Sequence, residues 1–539
     1  MTDRAPYIYP RRRPACLPAS EINGFTEDDT SSTSRLLALA DGPGRANSGD
    51  DKILDKGLCH RASLIFVSAA VTDRCRVGRL SIDMLSDDVL IHMFNLYRQE
   101  LEFYADSRPW SWDQWRVLAH VCQRWRHIIF TWPNYLDVRI VCKSRTAAVK
   151  ALDVWPALPI SIHSLFHVKQ VPSYNDQGGI IGVLEHRDRI IGIDFLGLTG
   201  PQLETCATFM QDPFPILRTL SLSYNAGTPP VVSDMFLGGS APRLKRIKLR
   251  SVPFPTLPIF LLSTRDLVQL HLKDIPRTGY ISPDVMVTSL AILTKLRSIR
   301  ISFLSRNSFP KNPTQYPLPH TRTVLPSLTA FVFGGVSKYL EDFMARIDAP
   351  LLNKLHLHFY QSTFGMPQLT QIIHRIEKFK TPHKADIEFH HYSVGVSLTS
   401  EWPIGGDLRL KFKCDGLDKQ LSLSEQIFSQ CFPFLSHVVS LELFDLDIQS
   451  HQDSTLWLPF LRPFNAVQTL IFCDQNSAVQ VASVLAELAE ERVGEVLPML
   501  RTIVWSDGCD WDEVEPVVGP LLQPFIDARE RLGHPVEVP

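Results

Sequence analysis

The stretch Leu244-Lys-Arg-Ile-Lys-Leu249 carries the pattern that organises most of this chain of 539 residues. Its apolar residues follow the order apolar, two residues, apolar, one residue, apolar. Successive side chains of a strand point to opposite faces, so Ile247 and Leu249 share one face while Arg246 and Lys248 occupy the other. The stretch therefore predicts a β-strand with one buried face and one polar face.

The same pattern occurs ten times between Ile190 and Trp505. The occurrences are Ile190/Ile193/Phe195, Leu217/Leu220/Leu222, Leu244/Ile247/Leu249, Leu267/Leu270/Leu272, Leu296/Ile299/Ile301, Leu328/Phe331/Phe333, Leu352/Leu355/Leu357, Val438/Leu441/Leu443, Val467/Leu470/Phe472 and Leu500/Ile503/Trp505. The first seven starts are separated by 27, 27, 23, 29, 32 and 24 residues. The longer interval from Leu352 to Val438 has room for two degenerate copies, around 387–389 and 408–412.

These intervals resemble those of leucine-rich repeats, whose units span about 20 to 29 residues. One repeat cannot bury its apolar face alone, so neighbours stack into a parallel sheet, with helical return segments such as 337–347 and 367–379. The resemblance implies an α/β fold, an irregular solenoid with a curved parallel sheet over 190–513. An amphipathic run follows, and we expect residues 514–539 to cap the last strand.

The polar face of the predicted sheet is rich in cations on three neighbouring strands. The candidate target-binding residues there are Arg246, Lys248, Arg250, His271, Lys273 and Arg300. Arginine pairs bidentately with carboxylates and phosphates, so our hypothesis is that this strip binds an acidic or phosphorylated segment of a target protein. Lys354, His356 and His358 extend the same sign two strands further on. The alternative is a solvated face whose charges keep the sheet soluble.

Two short amphipathic runs precede the repeats. They are Met84-Leu-Ser-Asp-Asp-Val-Leu-Ile-His-Met-Phe94 and Trp115-Arg-Val-Leu-Ala-His-Val-Cys-Gln-Arg-Trp-Arg-His127. Both place apolar residues at the three-and-four spacing of a helix face. Two helices this short have more apolar positions than they can bury against each other, so a partner must cover the remainder. The alternative is a small helical cap on the following domain.

The order of residues in these runs resembles an F-box, in which Leu-Pro-x-Glu-Val-Leu-x-x-Ile-Phe is followed by Val-Cys-(Arg/Lys)-x-Trp-Arg. Here the two motifs read Leu85-Ser-Asp-Asp-Val-Leu-Ile-His-Met-Phe94 and Val121-Cys-Gln-Arg-Trp-Arg126. The stretch Leu152-Asp-Val-Trp-Pro-Ala-Leu-Pro159 is also similar to F-box proteins of mushroom-forming fungi. Ser86 stands where the family usually has proline, and the link 97–114 is longer than in compact F-boxes.

This resemblance implies docking onto a Skp-type adaptor protein and, through a cullin scaffold, a place in a ubiquitin ligase. The residues carried over to adaptor binding are Leu85, Val89, Leu90, Phe94, Val121 and Trp125. The chain would then be an adaptor that holds a target protein, and not an enzyme. The alternative function is a leucine-rich-repeat interaction scaffold without a ligase role.

No catalytic or metal-ligating signature stands out in the sequence. The glycine-rich run Gly42-Pro-Gly-Arg-Ala-Asn-Ser-Gly-Asp50 lacks the Lys and Ser or Thr of a phosphate-binding loop. His383, His390 and His391 precede Cys414 without the spacing of a closed zinc site. We therefore expect no catalytic residue, no metal and no cofactor.

Composition sets the compartment and the partners. A formal charge of −2 with 45% hydrophobic residues indicates a folded protein and argues against general nucleic-acid or membrane binding. The ten cysteines are scattered, as in a reducing compartment, so we expect a cytoplasmic or nuclear location. The predicted organisation is a disordered tail over 1–78, an F-box-like helical domain over 79–142, and a linker with the first solenoid elements over 143–189. The solenoid and its cap follow.

Overall fold

A computed structural model describes residues 82–104, 118, 121–131, 138–141, 159–165, 181–225, 227–310, 321–360, 365–400, 405–444, 454–489, 492–506 and 511–538. The chain divides into two compact units, Met1–Ser86 and Asp87–Pro539. Within the first unit the structure describes residues 82–86, which include a 3-10 turn at Ile82–Met84. The predicted disordered tail lies outside the described residues, and the following architecture belongs to the second unit.

The second unit alternates strands with helices and short turns. Its helices are α1 (Asp87–Tyr104), α2 (Gln123–Thr131), α3 (Gly200–Phe209), α4 (Leu257–Leu261), α5 (Pro283–Leu290), α6 (Ser337–Arg346), α7 (Pro367–Arg375), α8 (Leu417–Cys431), α9 (Trp457–Leu461), α10 (Gln475–Leu488) and α11 (Trp511–Arg531). Its strands are β1 (Val138–Val141), β2 (Ile160–Leu165), β3 (Ile190–Leu198), β4 (Thr219–Tyr224), β5 (Arg246–Arg250), β6 (Gln269–Ile275), β7 (Ser298–Phe303), β8 (Thr323–Val324), β9 (Ala330–Gly335), β10 (Ile347–Asp348), β11 (Lys354–Phe359), β12 (Lys384–His390), β13 (Ser393–Thr399), β14 (Asp407–Lys413), β15 (Ser440–Phe444), β16 (Thr469–Phe472) and β17 (Thr502–Trp505).

Fifteen strands form one sheet in the order β1-β2-β3-β4-β5-β6-β7-β9-β11-β14-β13-β12-β15-β16-β17. Every neighbouring pair is parallel except the two that involve β13. Strands β8 and β10 form a separate two-stranded parallel pair. Each of the ten predicted repeats supplies one strand of the large sheet, so the prediction of a repeat-built parallel sheet is confirmed.

The predicted apolar triplets line the buried face of this sheet. In the repeat that opens at Leu244, for example, all three apolar residues are buried, as are Leu267, Leu270 and Leu272 in the next. The same holds in the other repeats, apart from Trp505, which is partly buried. The core is therefore one continuous apolar layer, as stacking of units that cannot fold alone requires.

Return helices cover the buried face. Helix α6 lies within the predicted helical segment 337–347, and α7 lies within 367–379. Helices α5, α6 and α7 contact one another in series. The carboxylate of Glu341 on α6 accepts hydrogen bonds from the backbone amides of Gln368 and Leu369 at the start of α7, at 2.8 and 3.0 Å. This contact fixes one repeat to the next, because a helix start has unpaired amide donors.

The long interval before Val438 differs from the two stacked repeats that the spacing suggests. Strands β12 and β14 do contain the predicted segments 387–389 and 408–412 and do run parallel to the rest of the sheet. However, β14 lies beside β11 and β12 lies beside β15, so their order is reversed. Strand β13 joins them as an antiparallel partner of both. We call β12, β13 and β14 the insert.

The sheet also begins earlier in the chain than the first predicted repeat. Strands β1 and β2 extend it beyond β3, in parallel register. Ile160 and Ile162 on β2 are buried in the same core as the repeats. The range predicted to hold the first solenoid elements, 143–189, includes β2, whereas β1 lies in the predicted F-box-like range 79–142; neither short strand carries the full apolar pattern.

The C-terminal segment covers the last strand. Helix α11 packs against α10 and buries Val518, Leu522 and Phe525 of the predicted capping run. Beyond the helix, Glu537 pairs with the backbone next to β17: Ile503 donates its amide to the Glu537 carbonyl at 2.9 Å. The cap therefore shields both the apolar layer and the free edge of the sheet.

Candidate functional site

The face of the sheet opposite the buried triplets carries the polar residues that alternate with them, and we call it the open face. Register pairing aligns one residue from each strand into a row that crosses the strands. From β4 to β15 this middle row comprises Ser221, Lys248, His271, Arg300, Val332, His356, Arg409, Ser397, Asp386 and Glu442. The sequence periodicity alone places these side chains on one face, but only the register puts them in one line.

All six predicted target-binding residues lie on this open face, on β5, β6 and β7. Arg246 pairs with Gln269, Lys248 with His271, and Arg250 with Lys273 across β5 and β6. None of the six is buried. We call the five permanent cations of this group the cationic arc, which comprises Arg246, Lys248, Arg250, Lys273 and Arg300.

One member of the cationic arc is balanced by a neighbour that the sequence analysis missed. Asp274 accepts a hydrogen bond from Nε of Arg250 at 2.9 Å. The backbone of Asp274 has φ of 55°, and the β6–β7 register shifts between Leu272 and Ile275. By the alternation of the strand, the side chain of Asp274 would point into the core. The irregularity turns it toward Arg250 instead. The sequence carries no clear signal for such a bulge.

The predicted cationic extension on β11 is largely neutralised. Asp407 on β14 lies 2.8 Å from Nε2 of His356 and 3.7 Å from Nζ of Lys354. Burial raises the pKa of Asp407, but hydrogen bonds from His356 and Arg409 outweigh it and bring the pKa to about 2. Asp407 is therefore charged near neutral pH. The expectation that β11 simply continues the positive sign is thus corrected, because the strand beside it comes from the insert.

The insert restores positive charge one strand further along. Strand β14 presents Arg409, Lys411 and Lys413 on the open face, and Lys411 lies opposite His358 of β11. Burial lowers the pKa of His358, and the charges of Lys411 and Lys413 lower it further. A second cationic group therefore follows the cationic arc, beyond the uncharged open-face residues of β9.

The far side of the insert carries the opposite sign. Asp386 on β12 pairs directly with Glu442 on β15, and Nζ of Lys384 lies 3.2 and 2.7 Å from their carboxylates. Burial raises the pKa of Asp386 to about 6, with Lys384 lowering it and the Glu442 charge raising it. We call Lys384, Asp386 and Glu442 the acidic seam. It ends the positive stretch of the open face.

The helix pair α1 and α2 forms a small core of its own. Leu90 is fully buried and Trp125 is 8% exposed. The ring of Phe94 packs edge-on against Trp125, with centroids 4.8 Å apart. Arg124 closes the pair at the surface, since its Nη2 lies 2.6 Å from Oδ1 of Asp87. Leu90 and Trp125, which the resemblance carries over as adaptor contacts, thus hold the two helices together.

Other residues of the predicted adaptor-binding set remain accessible. Val89 is 45% exposed and Val121 is 54% exposed, whereas Leu85 and Phe94 are partly buried. Val89 precedes the buried Leu90 by one position on α1. The pair therefore keeps apolar side chains outside its core at two of the six motif positions.

Within the ranges that the structure describes, no group of three His, Cys, Asp or Glu side chains converges as a metal site would require. None of the helices in the same ranges is long and apolar enough to cross a bilayer. A cleft lies beside the insert, lined by Glu377, Lys378, Thr381, Pro382, His383, Ser400, Gly405 and His437. None of these residues belongs to the middle row.

Two solved structures are distantly similar to this chain. No protein family matches the sequence, and no curated protein matches it. The leucine-rich repeat-containing protein LegL7 from Legionella pneumophila shares 12% identity and a TM-score of 0.27, over 60% of this chain and 83% of that one. The structure of a TLR13–ssRNA13 complex gives 11% identity and a TM-score of 0.28, over 71% of this chain and 48% of that one. The chain thus spans about half of the second structure.

These values are low, so the fold assignment rests on the chain itself. Ten strands at repeat spacing, their parallel register and their buried apolar triplets define a leucine-rich-repeat-like solenoid. An antiparallel insert interrupts it and a helical cap ends it.

Proposed function

We propose that this protein is the substrate-recognition adaptor of a Skp-cullin-F-box type ubiquitin ligase. In this proposal the helix pair docks onto a Skp-type adaptor protein, which joins it to a cullin scaffold. The open face of the solenoid holds an acidic or phosphorylated target protein. The cytoplasm or nucleus, where such ligases act, is the proposed location.

The observation that carries the proposal is the accessibility of Val89 and Val121. Among the described residues, Val89 and Val121 are about half exposed, at 45% and 54%, at positions that match the F-box motif, whereas Leu90 and Trp125 are buried. Single exposed apolar residues are common, but two at motif positions beside buried Leu90 and Trp125 support a docking surface. Full burial of an exposed valine is worth roughly 1.5 kcal/mol, so burial of the remaining exposed half of each contributes on the order of 0.7 kcal/mol to binding.

The mechanism is positioning. A target held near a ubiquitin-charged enzyme reacts faster because the reaction becomes effectively intramolecular. The chemistry belongs to that enzyme, so the proposal gives this chain no catalytic residue and no cofactor. Its own contribution is the affinity of two surfaces, one for the Skp-type adaptor and one for the target.

A second candidate function is a protein-interaction scaffold without a ligase role. The cationic arc supports it, because this charged surface is present whether or not the helix pair binds anything. Charge reversal by Arg246→Glu, Lys248→Glu and Arg250→Glu tests target capture under both proposals. If capture survives the triple substitution unchanged, the arc is only a solvated face.

Co-purification of the full chain with a Skp-type adaptor tests the ligase proposal. We expect the wild-type chain to bind, and Val89→Glu and Val121→Glu to reduce binding at least 10-fold each. Leu96→Glu is the matched control: Leu96 is 52% exposed on the same helix but lies outside the motif set. It should bind like wild type.

Circular dichroism of each variant separates lost binding from lost folding, and exposed positions should leave the spectrum unchanged. A folded wild-type chain that does not bind any Skp-type adaptor contradicts the ligase role and leaves the scaffold. Equal loss with Leu96→Glu contradicts the assignment of the docking residues.

A further inference from the structure

The spacing of charges along the middle row is specific. Arg300 on β7 and Arg409 on β14 lie in the same row, separated by Val332 of β9 and His356 of β11. Three interstrand steps of about 4.8 Å place their Cα positions about 14 Å apart. Both side chains are exposed. Nε of Arg409 donates to Oδ1 of Asp407 at 2.8 Å, whereas Arg300 forms no ion pair within the described residues.

The surface between these arginines is uncharged at its centre. Strand β9 presents Ala330, Val332 and Gly334 on the open face. A Cβ atom at Gly334 would lie 2.9 Å from Cβ of Ser302, so a larger side chain would clash there and Gly334 adds no bulk to the open face. His356 of β11 is held by Asp407, whose negative charge offsets it. An apolar or small side chain fits over this window better than a charged one.

We propose that the open face binds an extended acidic segment that runs across the strands along the middle row, with two negative side chains four residues apart. One negative group pairs with Arg300 and the other with Arg409, and the residue midway between them is uncharged and lies between β9 and β11. This inference rests on the proposed function, because it specifies the target segment that the open face would hold.

The length of an extended chain selects this interval. Each residue advances about 3.3 Å, so four residues span about 13 Å, close to the Arg300–Arg409 separation. Because side chains alternate sides, an even interval directs both negative groups toward the sheet. Lys248 and Arg300 are two steps apart, about 10 Å, which corresponds to three residues and would direct one group away.

The acidic seam limits the segment on the Arg409 side. Asp386 lies two interstrand steps beyond Arg409 in the same row. A third negative group eight residues from the first would face the sheet at about 26 Å from Arg300, between Asp386 at about 24 Å and Glu442 at about 29 Å. Like charges at short range repel, so the bound segment should carry no acidic residue there.

Fluorescence polarisation with synthetic peptides and the full chain tests the inference. The peptides have a Gly, Ala and Ser background and carry two negative residues at intervals of three, four or five. One series uses Glu and another uses phosphoserine, which separates a constitutively acidic target from a phosphorylated one. We expect the interval of four to bind about 10-fold tighter than three or five, and a third Glu eight residues from the first to weaken binding.

Two substitutions and one control locate the effect. Arg300→Glu and Arg409→Glu should each abolish the preference for four, whereas Arg243→Glu, at an exposed position before β5, changes net charge equally and should preserve it. Binding that depends only on peptide charge, regardless of interval, overturns the inference. Retention of the preference by Arg409→Glu, or stronger binding of an oligouridylate at the same site, also overturns it.

Adaptor binding measured on the same samples separates the two proposals. If Val89 and Val121 still mediate binding to a Skp-type adaptor while no acidic peptide binds, the inference fails and the ligase proposal stands. If peptides bind with the expected interval but the adaptor does not, the inference holds on a scaffold.

Discussion

The helix pair and the solenoid present opposite kinds of surface. The solenoid buries nearly every apolar residue of its repeat pattern and leaves charges on its open face. The helix pair buries Leu90 and Trp125 but leaves Val89 and Val121 in solvent. A surface that binds through apolar contact should be insensitive to salt, whereas one that binds through exposed charges should weaken as salt rises. One chain would thus carry two binding modes that solvent conditions can separate.

The largest expected effect concerns the buried layer of the solenoid. Leu355→Ala removes a fully buried side chain from β11 and should lower the free energy of unfolding by about 2–5 kcal/mol, because it leaves a cavity. Leu351→Ala is the control in the same repeat, since Leu351 is 52% exposed, and should cost less than about 0.5 kcal/mol. Urea unfolding followed by circular dichroism gives both values.

Val89→Ala sharpens the contrast between the regions. It removes exposed methyl groups from the helix pair and should change unfolding by less than about 0.5 kcal/mol while it weakens adaptor binding. A large loss of stability instead would mean that Val89 belongs to the core and is unavailable for docking.

A smaller effect lies at Asp407, within the solenoid. Its pKa of about 2 lies below the ordinary value, so the ionised carboxylate stabilises the fold above about pH 4. That contribution should fade as pH falls from about 4 to 2. Asp407→Asn should lower the free energy of unfolding by about 2 kcal/mol at pH 7, because the pKa of Asp407 lies nearly two units below its ordinary value. It should also flatten the acid limb of a plot of unfolding free energy against pH.

Salt dependence tests the comparison directly. Raising NaCl from about 0.05 to 0.5 M should weaken binding of the two-charge peptide by about 10-fold, equivalent to about 1.4 kcal/mol, because exposed ion pairs are screened. Adaptor binding through Val89 and Val121 should change less than about 2-fold. Titrations at both salt concentrations measure the two constants. Parallel weakening of both would mean that the helix pair also binds through charge.

A modest effect is expected at Asp386, with a sign opposite to that of Asp407. The folded-state pKa of Asp386 is about 6, above the ordinary value, so the fold loses stability as pH rises from about 4 to 6. Asp386→Asn should remove this loss and so stabilise the protein at pH 7. The gain should be only on the order of 1 kcal/mol, because Lys384 loses a partner at the same time. Thermal melts across this pH range show the sign. Destabilisation at pH 7 would mean that the pair with Lys384 dominates.

Sequence periodicity predicted the solenoid well, because the apolar triplet of each repeat identifies the residues that are buried. The triplet Leu244, Ile247 and Leu249 and its nine counterparts therefore located both the strands and the open face. The arrangement of the insert could not be predicted in this way. The apolar patterns of β12 and β14 indicate strands but do not determine the order of those strands in the sheet. Asp407 and Arg409 became neighbours of β11 only through that order.

The helix pair shows the complementary limit. Motif order selected six residues for adaptor binding, but the spacing of apolar positions cannot divide them between a small core and an exposed surface. Leu90 and Val89 are adjacent and both apolar, yet one is buried and the other exposed. That division depends on how α2 packs against α1 through Trp125 and Phe94, which is a tertiary contact.

Hydrogen exchange of the full chain, with and without a purified Skp-type adaptor, is the most direct test of the two-surface account. The account predicts added protection over α1 and α2, with the strands of the open face unchanged, and added protection of β7, β9, β11 and β14 only when the two-charge peptide is present. Protection of the open face by the adaptor, or no change in α1 and α2 when the adaptor is bound, would contradict it.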